Sequence, residues 1–123
     1  MDIRVLAFDD LDGRTAYEAW RLRQDVFVVE QACPYGDLDG RDTEAATRHV
    51  VGIIDGAVAG YARVLDDGDE VRIGRVVLVR SARGQGLAEV VMKAAVGVAG
   101  NRPSVLDAQA ALVGGTPASG TAS

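Results

Sequence analysis

Residues 75–88 read RVVLVRSARGQGLA: a β-branched apolar run, then a basic turn with two glycines, then the opening of a helix. That order of parts suits a backbone that holds a phosphate. The strand aims the turn, and Gly84 and Gly86 let the main chain approach a ligand closely. The unpaired N–H groups of the first helical turn face the anion with the positive end of the helix dipole behind them. Arg83 adds a charged fork that suits phosphate oxygens. A phosphate-bearing cofactor is therefore expected at this bend.

The flanking sequence supplies a frame for it. Ile3–Phe8 reads as a first strand, and Thr15 with Glu18 forms a capping-box pattern for a helix carrying Ala16, Ala19 and Trp20 inward. Residues 31–47 are polar, with Pro34, Gly36 and Gly40, and read as a long loop. Strands are predicted at His49–Ile54, Ala57–Leu65 and Glu70–Val79, with Asp55-Gly56 as a hairpin turn and Asp66–Asp69 as the next. After the glycine turn, Leu87, Val90, Val91, Ala94, Ala95 and Val98 form a helical stripe that Gly100 ends. Ser104–Ala110 suits a strand parallel to the one before that helix. The order is β-α-β-β-β-α-β, an α/β fold with a mixed, mostly antiparallel sheet and helices on both faces.

Composition narrows the function classes. A chain of 123 residues is one domain, and a net charge of −5 argues against general nucleic-acid binding. No apolar run approaches a membrane span, and the first ten residues, MDIRVLAFDD, lack the pattern of a secretory leader. Cys33 is the only cysteine, so no internal disulfide forms and a cytoplasmic location is expected.

Residues 83–88 fit R-x-x-G-x-A, without the G-K-[ST] of a nucleoside triphosphate loop or the three glycines of a dinucleotide fingerprint. In this setting the pattern resembles the pyrophosphate loop of the Gcn5-related N-acetyltransferase (GNAT) superfamily. The likeness extends to RLRQDVFVVEQACPYGDLDGRD (21–42), TRHV (47–50), GYARVL (60–65), IGRVVLVRSARGQGLA (73–88) and VLDAQA (105–110). Together these strings resemble the ElaA-type branch. The resemblance implies an acetyl-CoA-dependent N-acetyltransferase acting on a small-molecule or peptide amine. It implies that Val77, Leu78 and Val79 offer backbone groups to the pantetheine arm, and that Arg83, Gly84, Gln85, Gly86, Leu87 and Ala88 hold the pyrophosphate. It further implies that a backbone N–H near Val77 polarises the thioester carbonyl. The alternative is a non-catalytic CoA-binding module or an inactive truncated product.

The tail departs from that family. A segment of the form W/F-Y-x-R-F-G-F, whose tyrosine is the usual thiolate proton donor, should follow the last strand. GGTPASGTAS (114–123) stands there instead, and Ala111 replaces a frequent histidine. Read one base earlier, with one T restored before Gly115, the fixed codon bases permit Trp-Tyr-Ala-Arg-Phe-Gly-Tyr. The expectation is a GNAT domain over residues 1–113, lacking its C-terminal helix and final strands, and a non-native tail over 114–123 produced by a one-base deletion or a sequencing error. The gene's nucleotide sequence tests this: a shifted frame that spells another peptide contradicts it. The exposed last strand would then invite self-association.

The remaining candidates carry less. His49 at a strand start reads as a hydrogen-bonded structural residue, and Cys33 as an inert small side chain. Asp37, Asp39, Asp42 and Glu44 lack the pattern of a calcium loop, and no metal is expected. That acidic loop either meets a cationic amine or is solvated. Glu30 at the end of the first helical region could approach the amine, and no catalytic base is assigned.

Overall fold

The computed structural model of the chain describes residues 1–30 and 38–106. Five strands form one sheet in sequence order: β1 (Asp2–Leu6), β2 (Arg48–Ile54), β3 (Ala57–Asp66), β4 (Val71–Leu78) and β5 (Ser104–Leu106). The first four are antiparallel neighbours, and β5 runs parallel to β4. Two helices cover opposite faces: α1 (Gly13–Arg23) precedes β2, and α2 (Leu87–Ala99) links β4 to β5.

Period-2 alternation sorts the strand residues between two cores. Val50, Ala62, Val64, Val71, Ile73, Val76 and Leu78 pack with Val91, Ala95 and Ala99 of α2. Val51, Tyr61 and Val77 face the other way, against Ala19, Leu22, Val26 and Phe27. The predicted α2 stripe is shifted by one position at its start, since Val91 is fully buried while Val90 is 41% exposed.

Both turns form as the sequence predicts. Asp55 and Gly56 take φ of 52° and 81°, the left-handed pair that a tight hairpin needs. In the Asp66–Asp69 turn, the Asp66 carboxylate accepts the Gly68 N–H at 2.9 Å. Helix α1 starts earlier than the capping-box reading places it, at Gly13 after extended Asp12. Glu18 does not close a box; its carboxylate accepts the Val58 N–H at 3.0 Å and ties α1 to β3. Past Arg23 the coil widens into a π-helical segment, Gln24–Glu30.

One irregularity in β4 sets the orientation of its C-terminal end. Tyr61 stands opposite Val77 but Arg63 stands opposite Gly74, so Arg75 and Val76 together face the single residue Ala62. This is a β-bulge, and Arg75 sits in it with φ of 54°. That conformation costs an ordinary L-residue about 1–2 kcal/mol. The bulge reverses the strand's parity. Val71 and Ile73 face α2 before it, and Val76 and Leu78 after it. Among the described residues, β4 pairs with β5 only from Val71 to Ile73, just short of the bulge.

Residues 107–110 of the predicted last strand lie outside the described residues, as do Cys33, Asp37, Ala111 and the 114–123 segment.

Candidate functional site

The bend after β4 is built from a short turn and two left-handed glycines. Val79 ends the strand with its N–H donated to the Ala59 carbonyl at 2.8 Å, and Arg80–Ala82 make one 3-10 turn. Ala82 is buried against the α2 core and anchors this turn. Gly84 and Gly86 follow with φ of 80° and 77°, and Gly86 is the residue that caps α2. A side chain at either would be strained, yet a Cβ built there meets no atom within 4 Å. The space above both glycines is therefore open.

The N-cap is a glycine, so no side-chain oxygen at position 86 competes for the first-turn N–H groups. Two of the loop's polar side chains bond back to the preceding main chain. Gln85 Nε2 donates to the Ser81 carbonyl at 3.2 Å, and Arg83 Nε donates to the Leu78 carbonyl at 3.2 Å. Arg83 thus braces the turn against the strand, a use that its sequence reading as a phosphate fork does not include. Open glycines at an uncapped helix start fit a diphosphate.

The three strand residues named from sequence divide by orientation. Gly60 stands opposite Leu78 and Tyr61 opposite Val77, and the Val79 N–H is already bonded to Ala59. Main-chain groups alternate between the two edges of a strand, so those of Val77 and Val79 turn to β3. Leu78 turns its N–H and carbonyl to the other edge, where β5 lies. The bulge is responsible: before it Val71 faces that edge, its N–H donated to the Pro103 carbonyl at 3.0 Å.

A buried polar network occupies the α1 face beside the bulge. Arg23, Arg63 and Arg75 are each at most 2% exposed. Arg63 makes a bidentate pair with Asp39 at 2.8 and 2.9 Å, and its Nη1 also reaches Asp42 at 3.2 Å. Arg23 donates to Asp42 at 2.7 Å, and Arg75 lies 3.6 Å from Asp39. The Arg23 guanidinium also sits 4.8 Å from the Trp20 ring centre. Burial pushes the Asp39 carboxyl up, but Arg63, the Arg41 N–H and the Arg75 charge outweigh it and hold it down at about 2.

His49 is locked into the same network. Its Nε2 lies 2.9 Å from the Asp42 carbonyl, which can only accept, so Nε2 carries the proton. Nδ1 then accepts from the Tyr61 hydroxyl. Burial lowers the imidazole pKa and raises that of the Tyr61 phenol. With both ring nitrogens bonded and the residue fully buried, His49 is structural, as its strand position suggests.

In sequence, Asp39 and Asp42 read as either solvated or facing an amine. In the structure both carboxylates pair with arginines, Asp42 buried and Asp39 still about one-third exposed, and Glu44 pairs with Arg41. Local sequence does not assign these arginines because their partners lie far away in the chain. The available signal is Arg63 and Arg75 standing within mostly apolar strands.

Comparison with known proteins places this architecture. Residues 14–112 match the profile of the acetyltransferase (GNAT) family. A UPF0039 protein of Mycobacterium tuberculosis is 48% identical over 108 residues, covering 84% of this chain and 69% of that protein. The crystal structure of an acyl-CoA N-acyltransferase from Pseudomonas aeruginosa superposes with a TM-score of 0.80 at 38% identity, over 85% of this chain and 77% of that one. Escherichia coli ElaA superposes with a TM-score of 0.81 at 32% identity, over 86% of this chain and 76% of that one. On the family profile and these similarities, the chain belongs to the GNAT acetyltransferase family, in the branch that includes ElaA and the UPF0039 proteins.

Proposed function

We propose that this chain is an acetyl-CoA-dependent N-acetyltransferase for a small-molecule or peptide amine, with its domain spanning residues 1–113. The observation that carries the reading is the bend from Arg83 to Ala88. Its two left-handed glycines leave open space in front of an uncapped helix start. Main-chain N–H groups of Gly84, Gln85, Gly86, Leu87 and Ala88 would hold the pyrophosphate. Leu78 would offer its main-chain N–H to the pantetheine arm, flanked by Val77 and Val79, while Arg83, bonded to the Leu78 carbonyl, would keep the turn in place. A neutral amine would attack the acyl thioester carbonyl, the C–N bond forming as the C–S bond breaks, with CoA leaving as a thiolate that takes up a proton equivalent to the one the amine loses. The similarity to a Pseudomonas aeruginosa protein described as an acyl-CoA N-acyltransferase supports the same cofactor class.

The remaining partner readings rest on charge, hydropathy and the last strand. Net charge of −5 disfavours nucleic acid. Among the described residues, no helix is long and apolar enough to cross a membrane. A cytoplasmic location and self-association through β5, whose Leu106 is 48% exposed, complete the proposal.

A second reading, CoA binding without transfer, is favoured by one sequence observation: the tyrosine of the family's C-terminal motif is absent from 111–123. Calorimetry with acetyl-CoA and thiol release over a panel of amines separate the two. Binding with turnover supports the transferase, and binding alone supports the second reading. Absence of binding overturns both.

A further inference from the structure

The bulge in β4 is held in an unfavourable backbone conformation by a residue that reaches across to a distant loop. Arg75 is not glycine, yet it takes φ of 54° at the left-handed position of the bulge. Its side chain is 2% exposed, and its Nη2 lies 3.6 Å from Asp39 Oδ2. Asp39 stands in the segment between α1 and β2 and is itself fixed by the bidentate pair with Arg63 and by the Arg41 N–H at 3.1 Å. The bulge in turn decides which edge the main chain of Leu78 faces. Without the extra residue, Val77 and Val79 would turn their N–H groups to the β5 side and Leu78 would not.

From this chain of contacts we infer that Asp39 is a positioning residue for the cofactor gap: through Arg75 it holds the bulge that aims β4 at the pantetheine arm. The segment from Asp39 to Asp42, fastened to β2 and β3 through Arg63 and His49, thereby couples to the strand beside the bound cofactor. This rests on the proposed acetyl-CoA site. It adds that the acidic loop acts on the cofactor side of the reaction, through backbone geometry, without touching the ligand.

Glycine adopts a positive φ freely, so it needs no ion pair to stay there. In the parent protein, Asp39→Asn, which keeps shape and loses charge, is expected to weaken CoA about tenfold by calorimetry. In the Arg75→Gly background the same change is expected to weaken CoA by less than twofold. Thermal stability should fall in both backgrounds, because Asp39 also pairs with Arg63; a merely structural role would move stability and affinity together. Arg75→Asn, which also tolerates this backbone, serves as a second background should the glycine variant fold poorly. Backbone chemical shifts of residues 74–78 in the unliganded protein give an independent readout, with the left-handed signature at position 75 lost in Asp39→Asn.

Equal loss of CoA affinity in all backgrounds overturns the inference, and so does an unchanged affinity in the parent. If the parent protein itself binds no CoA, the cofactor proposal fails, and the role in aiming the strand at pantetheine fails with it. The chemical shifts then report only whether Asp39 holds the bulge.

Discussion

Replacing Gly86 with glutamate puts the most pressure on the phosphate bend. The residue has φ of 77° and no atom within 4 Å of its missing Cβ. The folded protein therefore pays for backbone strain alone, about 1–2 kcal/mol. For a domain of this size that lowers Tm by roughly 4–8 °C and leaves it folded. Ligand binding suffers much more. The carboxylate would stand where a diphosphate is to sit, and two unit charges 4 Å apart repel by about 4 kcal/mol near a protein surface. Solvent screening reduces this to about 2–4 kcal/mol, a loss of roughly 30- to 1000-fold in affinity. Gly97→Glu is the matched control. It lies eleven residues further along α2, about 16 Å away, and its Cβ also meets nothing within 4 Å. Calorimetric titration with CoA should show Gly86→Glu losing binding and Gly97→Glu keeping it. Undiminished affinity in Gly86→Glu would refute the reasoning.

The buried network yields two more expected outcomes. Asp39 is held at about 2, below the ordinary carboxylate value of 3.8, so its contribution to stability is complete above pH 4 and is lost as pH falls toward 2. That carboxylate is about one-third exposed, so the contribution is about 1–2 kcal/mol after screening, and acid unfolding of Asp39→Asn should show a correspondingly shallower fall across this window. His49 should appear by 15N NMR as the Nε2–H tautomer and take up its second proton only below the ordinary imidazole value, because burial depresses its pKa. Tyr61→Phe removes the donor to its Nδ1 and should cost about 1–3 kcal/mol in denaturant unfolding; a cost near zero would contradict the assigned bond.

The sheet is legible in sequence because its signals are local. Asp55-Gly56 names its own turn, and the largely apolar runs on either side of it, 49–54 and 57–65, read as the strands it joins. The glycine bend is legible too, since Gly84 and Gly86 stand between an apolar run and a helical stripe. The misreadings have one physical origin, long-range pairing. Glu18 looks like the partner of Thr15 three residues away, but it finds the Val58 N–H across the fold. Asp42 reads as part of the same acidic loop as Asp39, but guanidiniums from α1 and β3 bury it. The bulge is not legible in this way: residues 76–79 are all apolar, so nothing in the sequence marks the change of face from 71 and 73 to 76 and 78, or the left-handed arginine that accommodates it.

Main-chain capture of the CoA diphosphate at Arg83–Ala88 is tested most directly by following backbone amide shifts while CoA is added. The largest shifts at saturation should fall on the N–H groups of Gly84, Gln85, Gly86, Leu87 and Ala88, with Leu78 responding to the pantetheine arm. Saturable CoA binding that leaves those five amides unmoved would contradict the account.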